Sequence, residues 1–389
     1  MQFGLTDEQQ MFQQVIRKFV DAEVRPVAHE WEATNRYPTE IVEGFREMGL
    51  FGLTVPEQYG GLGADAVSLA LAFEEIARGW MGVAGILGSH TLSCRMITQH
   101  GTQAQRDQLL PDLAAGKRRT GIALTEPGAG SDLRSITTRA IRDGSGANPD
   151  YVLTGTKTWI TNARHADPLP VLARLADPGD APSPFCVFLV PGDSSGFEVS
   201  RDLGKLGYKG TETCEVVLDE VRVPAEALLG GVEGRGLKQA LSSLEIGRIN
   251  VAARAVGVAQ AAYEAAFAYA GERKAFGSRI ADFQAIQLKL ADMATQIQSS
   301  RLLTWWAAAR LDSGQRADVE AGMAKYQASE VALKASLEAM RIHGAYGYST
   351  EFEVERLYRD APLMAIGEGT NDILRMVIAK GLRARAEAR

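Results

Sequence analysis

Cysteine is scarce in this chain. The three residues, Cys94, Cys186 and Cys214, stand far apart among 389, with no C-x-x-C pair and no histidine at metal-ligand spacing. Neither a zinc or other metal site nor a disulfide framework can be read from them, and a reducing compartment fits best. Long apolar runs are missing as well: no stretch reaches the roughly 18 uninterrupted apolar residues of a membrane span. The opening, Met1-Gln2-Phe3-Gly4-Leu5-Thr6-Asp7-Glu8, has neither a basic n-region nor an apolar h-region. A soluble cytoplasmic protein, with no membrane partner, is expected. Positive charge is in deficit too. Forty-two Lys and Arg against 48 Asp and Glu leave a net charge of −6, too acidic overall for a protein that binds nucleic acid through a basic phosphate-neutralising surface. Repeats and low-complexity tracts are absent. What remains is ordinary globular usage, 46% hydrophobic and 23% charged, long enough for two to three domains.

The first third reads as helices. Thr6 followed by Gln9 is a capping-box start, and Met11, Phe12, Val15, Ile16, Phe19 and Val20 recur at three- and four-residue spacing until Pro26 stops the pattern, so this stripe is expected in the core. Further helical patterns run over about 39–48, 67–77 and 102–114, with a Gly-rich turn at Tyr59-Gly60-Gly61-Leu62-Gly63. From about Thr120 to Pro224 the texture changes. Gly, Pro, Asp and Thr become dense, and short β-prone runs at 151–153, 159–161, 185–190 and 215–218 lie between turn clusters, which predicts a compact β module. After Gly236 long Ala-rich helices return at about 237–271, 283–311 and 317–342, with another near the end at 373–384, the pattern of a bundle. The order α, then β, then α excludes a doubly wound sheet, which needs alternation throughout. Gly61-Leu62-Gly63 has no preceding strand and reads as a turn; Gly128-Ala129-Gly130-Ser131 lacks the Lys of a phosphate loop.

Three segments carry chemistry. The first runs from Thr120 to Asp132, where Gly128 and Gly130 let the backbone approach a ligand and free N–H groups, with the Thr125 and Ser131 hydroxyls, form a neutral donor cradle. An ordinary Pro-Gly loop is the competing reading. Second is Lys157-Thr158-Trp159-Ile160-Thr161-Asn162-Ala163, a strand and turn whose Trp159 either stacks on a planar ligand or packs in the sheet. In the third, Ala365-Ile366-Gly367-Glu368-Gly369-Thr370-Asn371-Asp372, two glycines present a carboxylate without crowding and Thr370 caps the last helix.

Taken with Arg273-Lys274-Ala275-Phe276-Gly277, Phe283-Gln284-Ala285-Ile286-Gln287 and Arg341-Ile342-His343-Gly344-Ala345-Tyr346-Gly347, these segments resemble the acyl-CoA dehydrogenase family in order and separation, over essentially the whole chain from Thr6 to about Ala384. The resemblance implies an α+β chain of three domains: an N-terminal all-α domain (1–118), a middle β-barrel-like domain (119–228) and a C-terminal four-helix bundle (229–389). It implies a flavoprotein that uses FAD to oxidise an acyl-CoA thioester to the trans-2-enoyl thioester, a carboxylate taking the α-proton while hydride leaves the β-carbon for flavin N5. A free glutamate, titrating near 4.3, is a poor base for a carbon acid. Desolvation raises its basicity, and hydrogen bonds to the thioester oxygen stabilise the developing enolate.

Carried over residue by residue, the resemblance makes Glu368 the catalytic base and its backbone N–H half of the oxyanion site. Some relatives carry the base at the position held here by Gly247, which cannot serve; Glu245 and Arg248 nearby become substrate-binding, their competing reading being a solvated helix pair. Ile122, Leu124, Thr125, Ser131, Trp159, Ile160 and Thr161 fall to the flavin side, Ser131 also to the substrate. Arg273, Phe276, Gln284, Arg341, Gly344 and Ala345 fall to the cofactor's phosphates and adenosine, from a neighbouring subunit of a homotetramer built as a dimer of dimers. Thr370 and Asp372 adjoin the cofactor beside the base. Arg341 and Ala345 stand where many relatives have Gln and Gly. Gly367 replaces a frequent Tyr, and with Gly369 opens space for a short or branched acyl chain. An electron-transferring flavoprotein is the expected acceptor. Two alternatives stay open: a dehydrogenase of carrier-protein-bound thioesters, and a non-catalytic protein that retains the fold.

Overall fold

The computed structural model describes residues 4–144 and 149–387; the first three residues of the opening lie outside the described residues. The N-terminal helices are α1 (Asp7–Phe19), α2 (Arg25–Ala33), α3 (Thr39–Glu47), α4 (Ala66–Gly79), α5 (Met81–His100) and α6 (Gln103–Ala114). Thr6 and Gln9 form the expected reciprocal cap on α1. Two expectations fail here. Pro26 does not stop the helical path. A π turn at Val20–Val24 leads directly into α2, whose first turn takes the proline where no N–H is needed. Nor is the whole α1 stripe core: Ile16 and Val20 are buried, but Met11 is 67% and Val15 56% exposed, because the surface covered by α4 is narrower than the apolar arc.

Helix α5 went unread in the sequence because Gly82, Gly85 and Gly88 look like breakers. Packing explains them: the bare face they make admits other chains, a methyl at Gly85 colliding with Tyr208 and one at Gly88 standing 3.1 Å from Asn250 Nδ2. Most residues of α5 are buried, so tertiary contact repays the glycine entropy cost.

The middle of the chain forms one six-stranded sheet in the order β4-β3-β1-β2-β6-β5, from β1 (Arg139–Asp143), β2 (Asp150–Thr161), β3 (Leu169–Leu175), β4 (Phe185–Val190), β5 (Phe197–Val199) and β6 (Thr213–Val223). The β-prone runs at 151–153 and 159–161 belong to one strand, β2, whose pairing with β6 shifts register at two places. Tyr151 of β2 and Phe188 of β4 have ring centroids 4.8 Å apart, although flat geometry would place their strands about 14 Å apart. The sheet is therefore curled around its core. On β3 and β4, alternate residues serve two cores. Val171, Ala173, Cys186 and Phe188 face inward, while Leu172, Phe185, Val187 and Leu189 pack with Leu109, Leu110 and Leu113 of α6.

The C-terminal part holds α7 (Gly236–Glu272), α8 (Gln284–Asp312), α9 (Asp318–His343), α10 (Val354–Ile366) and α11 (Asn371–Glu387), with a two-stranded turn, β7 (Lys274–Ala275) and β8 (Ser278–Arg279), between α7 and α8. The three long helices fall within a residue or two of their expected bounds. The fourth position in the bundle is shared by α10 and α11, and α10 was missed because Pro362 interrupts its pattern. Alanines of α7 and α9 form a continuous buried seam that lets these helices approach closely. Among the described residues no helix is long and apolar enough to cross a membrane. The three cysteines are free and buried.

Candidate active site

The chain breaks helix between α10 and α11, and the break carries Glu368. Gly367 is extended, Glu368 has φ +56° and Gly369 φ +89°. A left-handed glutamate costs on the order of 1–2 kcal/mol, so something must hold it. Lys325 of α9 does: its Nζ donates to the Gly369 carbonyl at 2.7 Å and to Asn371 Oδ1 at 3.0 Å. Asn371 in turn donates to Ser329 Oγ at 3.0 Å and Glu330 Oε1 at 2.7 Å. Thr370 caps α11 as expected, accepting from the Ile373 N–H at 3.3 Å. Lys325 is fully buried, and that burial brings its ammonium down to about 8.

The Glu368 side chain points at α7. Its Oε2 is sealed from solvent and, among the described residues, has no hydrogen-bond partner. A methyl built at Gly247 would lie 2.8 Å from Oε2 and 3.1 Å from Leu92 Cδ2, so the carboxylate occupies space that only glycine leaves free. Burial raises the carboxyl above the ordinary range, against the opposing charges of Arg248, Arg254 and Lys325. Among the described residues no acceptor takes the Glu368 N–H. A half-desolvated carboxylate with a free backbone donor beside it is what proton removal next to a carbonyl requires.

Glu245 and Arg248 are not a solvated pair. Arg248 is 9% exposed with an unpartnered Nε, and burial lowers its guanidinium. Glu245, half-buried, accepts from the Ala317 N–H at 3.4 Å, and burial raises its carboxyl.

On the sheet, the Thr158 N–H donates to the Thr125 carbonyl at 2.9 Å and ties the second segment to the first. Beneath them runs a buried ion pair, Lys157 Nζ to Glu126 Oε1 at 2.8 Å. Glu126 also accepts from the N–H groups of Thr137 and Thr138 at 2.6 and 2.9 Å. Burial works against its charge, but these donors hold it down at about 2, while burial brings Lys157 to about 8. The register shift in β2 places Trp159 at φ +61° and 57% exposed, so its ring is not packed in the sheet. Ile160, by contrast, is in the sheet core and reaches a ligand only through its backbone. Thr125 and Thr161 are half-buried, Ile122 and Leu124 pack on the core beside α6, and Ser131 is exposed. Methyls built at Gly128 and Gly130 meet nothing within 4 Å. The open backbone, hydroxyls and exposed indole fit a flat, phosphate-bearing cofactor.

The remaining expected residues lie elsewhere. Arg273, Phe276, Gln284, Arg341, Gly344 and Ala345 are all exposed, Phe276 to 98%. Arg273 stacks over Tyr346 at 5.8 Å, and Arg341 pairs with Glu338. Gly236, at the start of α7, abuts Cys186 of the sheet, whereas Arg273 follows its end, about 55 Å away along the helix. One chain does not bring the two sets together. Asp372 is exposed and pairs with Arg375 at 3.7 Å. Lys325, Asn371, Arg254 and the Glu126–Lys157 pair were missed in the sequence; the signal for Lys325 was a lysine at core spacing between Ala321, Ala328 and Ala332.

Three family models match the chain in order: the acyl-CoA dehydrogenase N-terminal domain over residues 6–117, the middle domain over 121–221 and the C-terminal domain over 234–383. The chain belongs to the acyl-CoA dehydrogenase family. It is 42% identical over 384 residues to a probable acyl-CoA dehydrogenase, YngJ, of Bacillus subtilis, covering 98% of this chain and 100% of that one. It superposes on butyryl-CoA dehydrogenase from Megasphaera elsdenii with a TM-score of 0.94 at 37% identity, covering 98% and 100% of the two chains. It also superposes on a glutaryl-CoA dehydrogenase from Mycobacterium smegmatis in complex with FADH2, with a TM-score of 0.90 at 31% identity over 97% and 95%. This α+β flavoprotein family is FAD-dependent, and the chain is an oxidoreductase of it.

Proposed function

We propose that this protein dehydrogenates a short or branched acyl-CoA at Cα–Cβ to the trans-2-enoyl-CoA, with Glu368 as the base. The observation that carries this reading is the Glu368 Oε2, buried without a partner and held against Gly247. Bound FAD supplies the acceptor for the β-hydrogen. Thr125, Ser131, Trp159 and Thr161 would hold its ring and nearer phosphate, with the backbone at Ile122, Leu124 and Ile160 shaping the wall and Thr370 beside the base. Arg273, Phe276, Gln284, Arg341, Gly344 and Ala345 of a neighbouring copy would hold the far end, within a homotetramer built as a dimer of dimers. The chain's own residues do the rest. Glu368 takes the α-proton, its N–H donates to the thioester oxygen, and the burial of Oε2 keeps water from the carboxylate.

Gly367 and Gly369 leave room beside the reacting carbons for a branch, while Glu245, Arg248 and Ser131 border the substrate. An electron-transferring flavoprotein would be the electron acceptor. Three buried free thiols suit a cytoplasmic setting. The test is anaerobic titration of the purified flavoprotein with isovaleryl-, isobutyryl-, butyryl- and octanoyl-CoA, followed at the flavin maximum. Bleaching by the short or branched thioesters is expected, and preference for the octanoyl chain would overturn the substrate reading. Glu368→Gln should retain FAD and bleach far more slowly; undiminished bleaching would remove Glu368 as base. Since burial raises the Glu368 carboxyl, the rate should climb with pH through a midpoint above the ordinary carboxylate range.

A further inference from the structure

The interior along α7 beside Glu368 holds more unpartnered polar groups than a hydrocarbon chain can use. Arg254 lies seven residues beyond Gly247 on α7, two turns further along the same face. It is 7% exposed, its Nε has no partner, and among the described residues no carboxylate lies within ion-pair distance. Its NH2 meets only Met81 Sδ, at 2.9 Å, and its guanidinium carbon stands 5.3 Å from the centre of the Tyr208 ring. Thioether sulfur is a weak acceptor and an aromatic face a weak counter-ion. Between Gly247 and Arg254, Asn250 leaves its buried Nδ2 unpartnered, and Thr91 on the facing α5 does the same with its hydroxyl. The bare glycine face of α5 packs close on Asn250, a methyl at Gly88 standing 3.1 Å from its Nδ2.

Buried donors without acceptors are costly, and a buried cation without an anion more so. Glu368 is the charge that faces Arg254 at longer range, and it is the charge lost when the base takes its proton. An apolar acyl tail would leave the guanidinium and the amide unsatisfied throughout the reaction.

We infer that the space beside Glu368 receives a short acyl chain bearing a carboxylate at its far end, with Arg254 as the counter-ion. This rests on the reading of Glu368 as base and narrows the substrate class. Seven residues of helix span about 10 Å, and helical side chains lean toward the N-terminus, so the Arg254 fork reaches back toward Gly247. A separation on that scale matches a chain of about four to six carbons, the coenzyme A monothioesters of small diacids.

The experiment uses the FAD-loaded protein and three matched pairs: butyryl- and succinyl-CoA, valeryl- and glutaryl-CoA, hexanoyl- and adipyl-CoA. Steady-state turnover with a dye as electron acceptor gives kcat/KM for each, and anaerobic flavin bleaching reads the reductive step alone. In at least one pair the diacid should exceed its plain partner by about 100-fold, the scale of a buried charge pair. Arg254→Gln should collapse that ratio toward one, chiefly through KM, and Arg254→Lys should restore part of it. Preference for the plain acyl chain in every pair overturns the inference whether or not the variants fold, as does an Arg254→Gln loss that is equal for both members of a pair. If plain thioesters bleach the flavin and diacids do not, the dehydrogenase stands and the inference falls. If none of the six bleaches it, the dehydrogenase reading falls first.

Discussion

Gly247→Ala separates the stability of this protein from its chemistry. In the middle of α7 the exchange favours the helix, by about 1 kcal/mol on propensity alone. The new methyl, however, would stand 2.8 Å from Glu368 Oε2, inside ordinary contact by roughly 0.7 Å. It cannot turn aside, because Leu92 Cδ2 lies 3.1 Å away on the other flank. The α7 backbone is fixed by its alanine seam with α9, so the carboxylate is the part that moves. A base displaced by about 1 Å costs on the order of 10²-fold in rate. Expected together are an unchanged or higher melting temperature, full FAD content and flavin bleaching slowed about 100-fold. Stopped-flow bleaching beside a thermal melt reads both. An unchanged rate would show that the carboxylate does not sit against residue 247; a lower melting temperature with loss of FAD would show that the backbone, not the base, gives way.

Lys325→Met preserves volume but leaves the Gly369 carbonyl and Asn371 Oδ1 without their donor; at about 1–3 kcal/mol for each unsatisfied group, the melting temperature should drop and bleaching should slow as the Glu368 loop relaxes, while retention of both in a melt and stopped-flow run would refute the positioning role. His90 is buried and neutral, Nε2 facing the Phe51 carbonyl at 3.2 Å and Nδ1 accepting from the Thr120 N–H at 3.3 Å, and burial lowers it to about 4. The unfolded chain, titrating near 6.5, therefore binds more protons between these values, and stability should fall by up to about 3 kcal/mol as pH drops from about 6.5 to about 4. Urea melts of the protein and of His90→Asn at both ends of that window would show it; equal pH sensitivity in the two would refute it.

The long helices and the β texture were legible because their patterns are local: alanine and leucine at helical spacing, turn residues between short apolar runs. Helix α5 was not, since the use of Gly82, Gly85 and Gly88 depends on Tyr208 and Asn250, far away in sequence. The exposure of Met11 and Val15 likewise depends on how much of α1 its neighbours cover. At the site, the sequence singled out Glu368 between its glycines but not Lys325 or Arg254, because only the packing shows these two buried and, among the described residues, without carboxylate partners. Lys157 and Glu126 are 31 residues apart, a pairing that no local pattern announces.

Helix α7 has a meaning beyond the bundle it helps to build. Between Gly247, against Glu368, and Arg273 beyond its end, α7 runs unbroken, its alanines, valines and glycines setting the spacing of Arg248, Asn250 and Arg254. That run works as a measuring rod. Removing one residue from it would draw the distal cluster in by about 1.5 Å and swing it through about 100°, leaving every functional side chain present and pointing the wrong way. Its small residues can exchange with one another, but its length cannot change, so a single-codon deletion in this stretch should be as damaging as the loss of a named site residue.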